Sequence, residues 1–300
     1  MGTIVSIEVL GAESDPEIAA REQAIERAFS WFEAVEKHCN RFDPASELRR
    51  LTVSQLEPGA GPTSVSDLLY SAVSFAIEVA RETGGAFDPA VGQAMEARGF
   101  TRNYRTGISE PADLPNSTNL PTFQDVVLDD ERKTVKFLRP MILDLGAVAK
   151  GFAIDLAARE LLEFRDFAID AGGDLYLSGQ NERGRPWTAG IRHPRSDREV
   201  IAAVDVSDRA ICTSGDYERR DVLGGHIIDP RTVGAANAVA SATVIASGAF
   251  VADALATAAF VLGPVEGIRM LERHGVEGIL FTPELRRYAT AGYEALLSDT

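Results

Sequence analysis

The sequence predicts an α+β fold with antiparallel or mixed sheets and flanking helices. From residue 125 onward, short strand-like runs follow one another across short turns, as neighbouring antiparallel strands do. The helical segments do not alternate regularly with strands, so no βαβ series is present. The 300 residues are 45% hydrophobic and 25% charged, enough for a sizeable core as one large domain or two lobes.

Taken in order, MGTIVSIEVLGAE reads as a strand. EIAAREQAIERAFSWFEAVEKHC places apolar residues at helical spacing and predicts a helix over 17–39. SVSDLLYSAVSFAIEVARETGG predicts a second helix, with Ser66 as N-cap and Gly84 as stop. Residues 101–125, rich in Pro, Asn, Ser and Thr, read as a surface loop. DVVLDDERKTVKFLRP predicts a hairpin, MILDLG a strand and residues 147–164 a helix. FAIDAGGDLYLSG gives two strands around a Gly-Gly-Asp turn. PWTAGIRHP, EVIAAVDVSD, RAICTSGDYERR, GGHIIDPRT and NAVASATVIAS continue as short strands. AFVADALATAAFVLG and PVEGIRMLERHG are helices, and VEGILFTPE with RRYATAGYEALL closes the chain.

A net charge of −15 argues against nucleic acid or an anionic membrane as the main partner, since both are polyanions. It leaves room for an anionic small molecule held in a local basic pocket. The two cysteines, Cys39 and Cys212, are far apart and lack metal spacing, so they read as reduced, buried thiols. The N-terminus lacks the pattern of a signal peptide, and no run of about 18 apolar residues is present to span a membrane. The expected location is the cytoplasm, or outside it as a mature domain whose leader has been removed.

Four stretches carry candidate chemistry. In ILDLGAVAKGFAIDLAARE, Asp144 interrupts an apolar run and Lys150 lies in the first turns of a helix. A strand–helix junction with small residues and a cation favours an anion such as phosphate. The plain alternative is a capping Asp and an exposed Lys. In ADALATAAF, Asp253 and Thr257 are four apart and share a helix face. A carboxylate and a hydroxyl among apolar residues suit a hard cation such as Mg²⁺, completed by substrate oxygens. They equally suit a buried Asp satisfied by a backbone donor, with Thr257 bonded to its own helix. HIIDPRT brings His226, Asp229 and Arg231 together, and TSGDYERR places Asp216 in a polar turn. Turn formation explains both equally well, and His226 reads also as a core histidine.

In order, MGT (1–3), RFDPASELRRL (41–51), GGAFDPAVG (84–92), LDLGAVAKGFAID (143–155), DAGGDLYLSG (170–179), TSGDYERR (213–220), HIIDPRT (226–232) and ADALATAAFVLG (252–263) resemble the FAD:protein FMN transferase, or ApbE, family. The resemblance runs over nearly the whole chain, as a single domain over 1–300. It implies a two-lobed α+β fold with FAD in a cleft between the lobes and Mg²⁺ on the pyrophosphate. It further implies FAD contacts at Met1, Phe42, Ala86, Phe87, Asp88, Asp144, Lys150 and Ile228. The metal ligands it implies are Asp253, Thr257 and the carbonyl of Ala147. Phe42 stands where the family often has tyrosine. The family's usual His-x-x-Asp-Pro-x-Thr-Gly is interrupted here by Val233, which is expected to displace the loop from Thr232 to Asn237.

The implied reaction is attack by a Ser or Thr hydroxyl of an acceptor protein on the FMN-side phosphorus of FAD, with AMP leaving. His226 is the candidate general base, with Asp216 or Asp229 to orient or replace it. Hydrolysis of FAD to FMN and AMP, and FAD binding without chemistry, are the alternatives.

Overall fold

The computed structural model describes residues 2–11, 14–57, 59–101, 107, 120–196, 198–217, 220–221 and 224–298. The expected FAD contact at Met1 lies outside the described residues, as does most of the predicted 101–125 loop.

A seven-stranded sheet organises the chain. Its order is Val5–Val9, Phe167–Ala171, Asp174–Ser178, Arg209–Gly215, Ser241–Ala246, Glu277–Phe281 and Arg287–Ala289. Each neighbouring pair is antiparallel. The period-2 alternation of strands decides what each face meets. Ala210, Cys212, Ala242, Val244 and Leu280 point into the larger buried cluster with the helices Asp15–Cys39, Gly146–Leu161, Ala249–Leu262 and Pro264–Arg273. Ile211, Ile245, Ile279 and Phe281 point the other way, into a smaller cluster under the hairpin Trp187–Arg192/Val200–Val206. Because both faces are covered, Ser241–Ala246 is buried at every position, which explains its small and apolar composition.

The predicted hairpins form. Val126–Asp129 pairs with Thr134–Phe137, which also pairs with Thr63–Ser64. Phe167–Ala171 and Asp174–Ser178 pair around Gly172 and Gly173, whose φ values of +69° and +94° suit a tight two-residue turn. Ser66 caps the helix Asp67–Glu82 by accepting from Leu69 N at 3.2 Å, and Gly84 lies beyond its end at φ +61°.

Two expectations are corrected. MILDLG makes no strand. Gly92 N donates to Ile142 O at 3.2 Å and Asp144 N to Pro89 O at 2.7 Å, so its backbone is satisfied by a 3₁₀ turn and a helix start, not by a ladder. An unforeseen helix, Glu47–Leu56, starts within RFDPASELRRL. Its signal was present in Ser46 at the N-cap position and in buried residues at 48, 51 and 55.

The helices Gly146–Leu161 and Ala249–Leu262 cross at very short range. A Cβ at Gly151 would stand 2.2 Å from the Ala249 carbonyl oxygen. The first helix also caps the second. Asp155 accepts from Ala249 N at 2.7 Å and Phe250 N at 3.1 Å, doing from a distance what Gly248 at the N-cap cannot. Gly151→Ala is therefore expected to destabilise by about 1–3 kcal/mol through overpacking, although alanine is the better helix former. Chemical denaturation of the two proteins checks this. Equal stability would mean that the crossing is looser than drawn.

Candidate functional site

A cleft of about 540 Å³ opens where the N-terminal segment, the end of the first helix, segment 86–95, the start of the helix Gly146–Leu161 and the loop 226–230 converge. Its lining includes Phe42, Ala86, Phe87, Asp88, Asp144, Ala147, Lys150, His226, Ile228, Asp253 and Thr257. Residues up to 255 positions apart in sequence thus share one cavity, since Gly2 and Thr257 both face it.

Asp144 is tied down on both sides. Its Oδ1 accepts from Gly146 N at 2.7 Å, closing the start of the helix. Its Oδ2 accepts from Arg41 Nε at 2.6 Å. The Arg41 side chain is only 2% exposed and also donates to Phe100 O at 2.8 Å. The guanidinium lies over the Phe42 ring at 3.9 Å, a cation–π contact that orients the ring at the cleft. The acid in the apolar run is thus paired as well as capping.

Lys150 forms an ion pair with Asp174, a carboxylate only 2% exposed. Asp174 Oδ1 accepts from Thr213 N at 3.0 Å. Asp253 is 5% exposed and its Oδ2 accepts from Gly151 N at 3.1 Å. Thr257 stands 3.0 Å, hydroxyl to hydroxyl, from Ser214 rather than bonding only its own helix. Asp253 and Thr257 on one helix and Ala147 on the other line the same cleft, which brings a carboxylate and a hydroxyl to it. That donor set is hard and fits Mg²⁺. Among the described residues no group of three or more His, Cys, Asp or Glu could hold a metal, so such an ion would take its remaining oxygens from substrate. Burial pushes the cleft-lining Cys39 thiol up to about 12, which rules it out as a thiolate at neutral pH.

Two of the three proposed proton-transfer groups are placed elsewhere. Asp216 does not line the cleft; it takes a two-point bond from Arg195 at 2.6 and 2.9 Å. Asp229 likewise takes Arg231 at 2.8 and 2.9 Å, and the Arg231 hydrogen bond holds its carboxyl below its ordinary value. The Arg231 pair favours the charged, weakly basic form of Asp229. His226 alone of the three faces the cavity.

The sequence model of the ApbE family matches residues 1–280. The chain belongs to the ApbE family. It is 33% identical to the FAD:protein FMN transferase of Treponema pallidum, covering 97% of this chain and 85% of that protein. With the FAD:protein FMN transferase of Vibrio cholerae it shares 28% identity over 99% of this chain and 91% of that one. The crystal structure of the ApbE protein from Thermotoga maritima superposes with a TM-score of 0.84 at 28% identity, over 99% of this chain and 97% of that one. No helix among the described residues is long and apolar enough to cross a membrane.

Within this ApbE chain Ile228–Asp229 pairs with Gly234–Ala235, and Val233 closes the turn with its N–H on Asp229 O at 2.8 Å. The cost falls on Val233 itself, which adopts φ +60°, a left-handed conformation that a β-branched residue disfavours. Val233 sits in the turn of this hairpin, and His226, Ile227, Ile228 and Pro230 line the cleft.

Two residues of the site were passed over in the sequence: Arg41, which lines the cleft, and Asp174, which binds two residues that line it. Arg41 opens a quoted motif, but nothing local marked it as the partner of Asp144, 103 positions away. Asp174 read only as a turn residue, and its role depends on Lys150 and Thr213 from two other elements.

Asp88 adds a pH-sensitive feature. Its carboxylate accepts from Ala90 N at 2.8 Å and Phe123 N at 3.1 Å, tying the segment at 86–90 to residue 123. Burial outweighs both bonds and pushes its carboxyl up to about 6, from 3.8. A folded value above the unfolded one means that the native state holds the proton more tightly between those limits. Its stabilising contribution is therefore complete below about pH 4 and lost as pH rises through 6. Compared with Asp88→Asn, the native protein should lose stability across that window, at no more than about 1.4 kcal/mol per pH unit, and run parallel above it. Urea unfolding of both proteins from pH 4 to 8 checks this. A difference that is flat across the window would refute the shift.

Proposed function

We propose that this chain is a Mg²⁺-dependent FAD:protein FMN transferase, joining FMN through a phosphoester to a Ser or Thr of an acceptor protein and releasing AMP. One observation carries the reading: a lysine, a helix start and an Asp–Thr pair converge on one cleft in a chain of the ApbE family. The curated relatives carry that activity in their names.

The chain's own groups have separable tasks. Lys150 and the start of its helix hold the pyrophosphate by charge and dipole. Asp144, an acceptor fixed by Arg41, suits a donor on FAD such as a hydroxyl or ring N–H, since a carboxylate repels phosphate. Phe42 and Ile228 offer apolar surface to a flavin ring. Asp253, Thr257 and the Ala147 carbonyl would hold Mg²⁺, which when bound neutralises charge on the pyrophosphate. His226 accepts the proton of the acceptor hydroxyl as its oxygen bonds to the FMN-side phosphorus. The bond from that phosphorus to the bridging oxygen breaks, and AMP departs with the electron pair. This is catalysis mostly by positioning.

Asp253→Ala is expected to abolish transfer while the protein stays folded. Alanine keeps helix propensity, but Gly151 N loses its carboxylate acceptor, at a cost of about 1–3 kcal/mol. Activity assays over a Mg²⁺ series, with circular dichroism, check this. Near-normal turnover of the variant in chelator would make Asp253 purely structural.

Transfer and hydrolysis are separated by the acceptor. A well-positioned hydroxyl gains an effective concentration of about 10⁵ M or more, enough to outrun water. Protein, FAD and Mg²⁺ should release AMP slowly alone and fast with an acceptor, leaving one FMN-phosphoryl adduct visible by mass spectrometry. Rapid FMN and AMP production without acceptor, and no adduct with it, would make the chain an FAD pyrophosphatase.

A further inference from the structure

Asp174 does not line the cleft, yet both its oxygens hold parts of it. It follows the positive-φ pair Gly172 and Gly173 and opens the strand Asp174–Ser178. Oδ2 takes the Lys150 ammonium from the helix Gly146–Leu161. Oδ1 takes Thr213 N from the neighbouring strand at 3.0 Å.

The sheet explains the second bond. The ladder between Asp174–Ser178 and Arg209–Gly215 runs through Leu177↔Arg209, Tyr176↔Ala210 and Leu175↔Ile211 and goes no further. On its other side Arg209–Gly215 stays paired with Ser241–Ala246 as far as Gly215↔Ser241. The Asp174 carboxylate supplies the acceptor for Thr213 N where the first ladder has ended, and the sheet can part at the cleft with that N–H still satisfied. The strand end held in this way carries Ser214, whose hydroxyl is 3.0 Å from that of Thr257. One buried carboxylate therefore orients the ammonium from one helix and, through Thr213 and Ser214, the hydroxyl on the other.

We propose that Asp174 is the positioning residue of the transfer reaction: it aims Lys150 and tempers its charge before substrate arrives. The proposal rests on the transferase reading above. An ammonium left to move would follow the phosphates wherever they bind, which strengthens the ground state without helping the transition state. Held by Asp174, it stands ready at a fixed point, with its charge partly balanced, and gains most as negative charge shifts during the reaction.

The decisive variant is Asp174→Asn, whose side-chain oxygen still serves Thr213 N while the carboxylate charge on Lys150 is gone. The expected result is a split: affinity for FAD and ADP by calorimetry holds or tightens, and kcat for transfer falls about 10²-fold, the scale of a misplaced group. In a Lys150→Met background the same change should alter kcat by less than about twofold, because Asp174 acts through Lys150. Lys150→Met alone leaves a buried carboxylate without its ammonium, so its thermal midpoint should fall and recover in Lys150→Met/Asp174→Asn. Should Asp174→Asn alone fail to fold, that midpoint comparison and the kcat ratio in the Lys150→Met background still read the coupling.

A loss of ADP and FAD affinity in Asp174→Asn, equal kcat losses in both backgrounds, or no recovery of the midpoint would overturn the proposal. A wild-type protein that binds FAD but transfers nothing would instead refute the transferase reading. In that case ADP binding and the midpoints remain the measure of the Lys150–Asp174 pairing.

Discussion

The site depends on one close approach, the crossing of the helices Gly146–Leu161 and Ala249–Leu262. Gly151 lets the second helix's first carbonyl come against the first helix's backbone, where any Cβ would collide. That contact puts Asp253 beside Gly151 N and Asp155 beside the N–H groups of Ala249 and Phe250. The bonds lock rotation as well as distance, since three donors and two carboxylates must match together. Lys150 and Thr257, one on each helix, face one cavity as a result. Packed interiors do not deform continuously, so this alignment is either present or lost.

A second pattern is that four carboxylates in and around the cleft are each fixed by a backbone N–H. Asp88, Asp144, Asp174 and Asp253 accept from Ala90, Gly146, Thr213 and Gly151 respectively. A buried carboxylate without donors costs several kcal/mol or takes up a proton. These donors keep the acids in place and hold them at set angles. Arg41 and Lys150 then balance the local charge of a protein whose total is −15. The site is thus electrostatically arranged before substrate arrives, which is where phosphoryl-transfer catalysts find most of their rate.

The loop from His226 to Ala235 carries Val233 in a strained conformation at its exposed tip. Asp229 is spent on its own turn and on Arg231. Asp216 sits beside Gly225, with its carboxylate turned to Arg195. Strain of this kind is tolerated at the tip because the paired residues Ile228 and Asp229 hold the base of the hairpin.

Local order was legible without the structure. Helix periodicity, the Ser66 cap and the Gly172–Gly173 turn follow from near neighbours, whose interactions are written in adjacent residues. The ApbE motifs likewise named most of the cleft, because each motif is a contiguous stretch. Partnership across the chain was not legible. Asp144 was visible as an anomaly, but its answer, Arg41, lies 103 residues away. Asp174 read as turn chemistry, and Asp216 and Asp229 read as proton-transfer candidates, because a carboxylate looks the same in sequence whether it faces a lysine, an arginine or open water. Only the tertiary structure decides which donor each acid meets, and burial and hydrogen-bond geometry then assign its role.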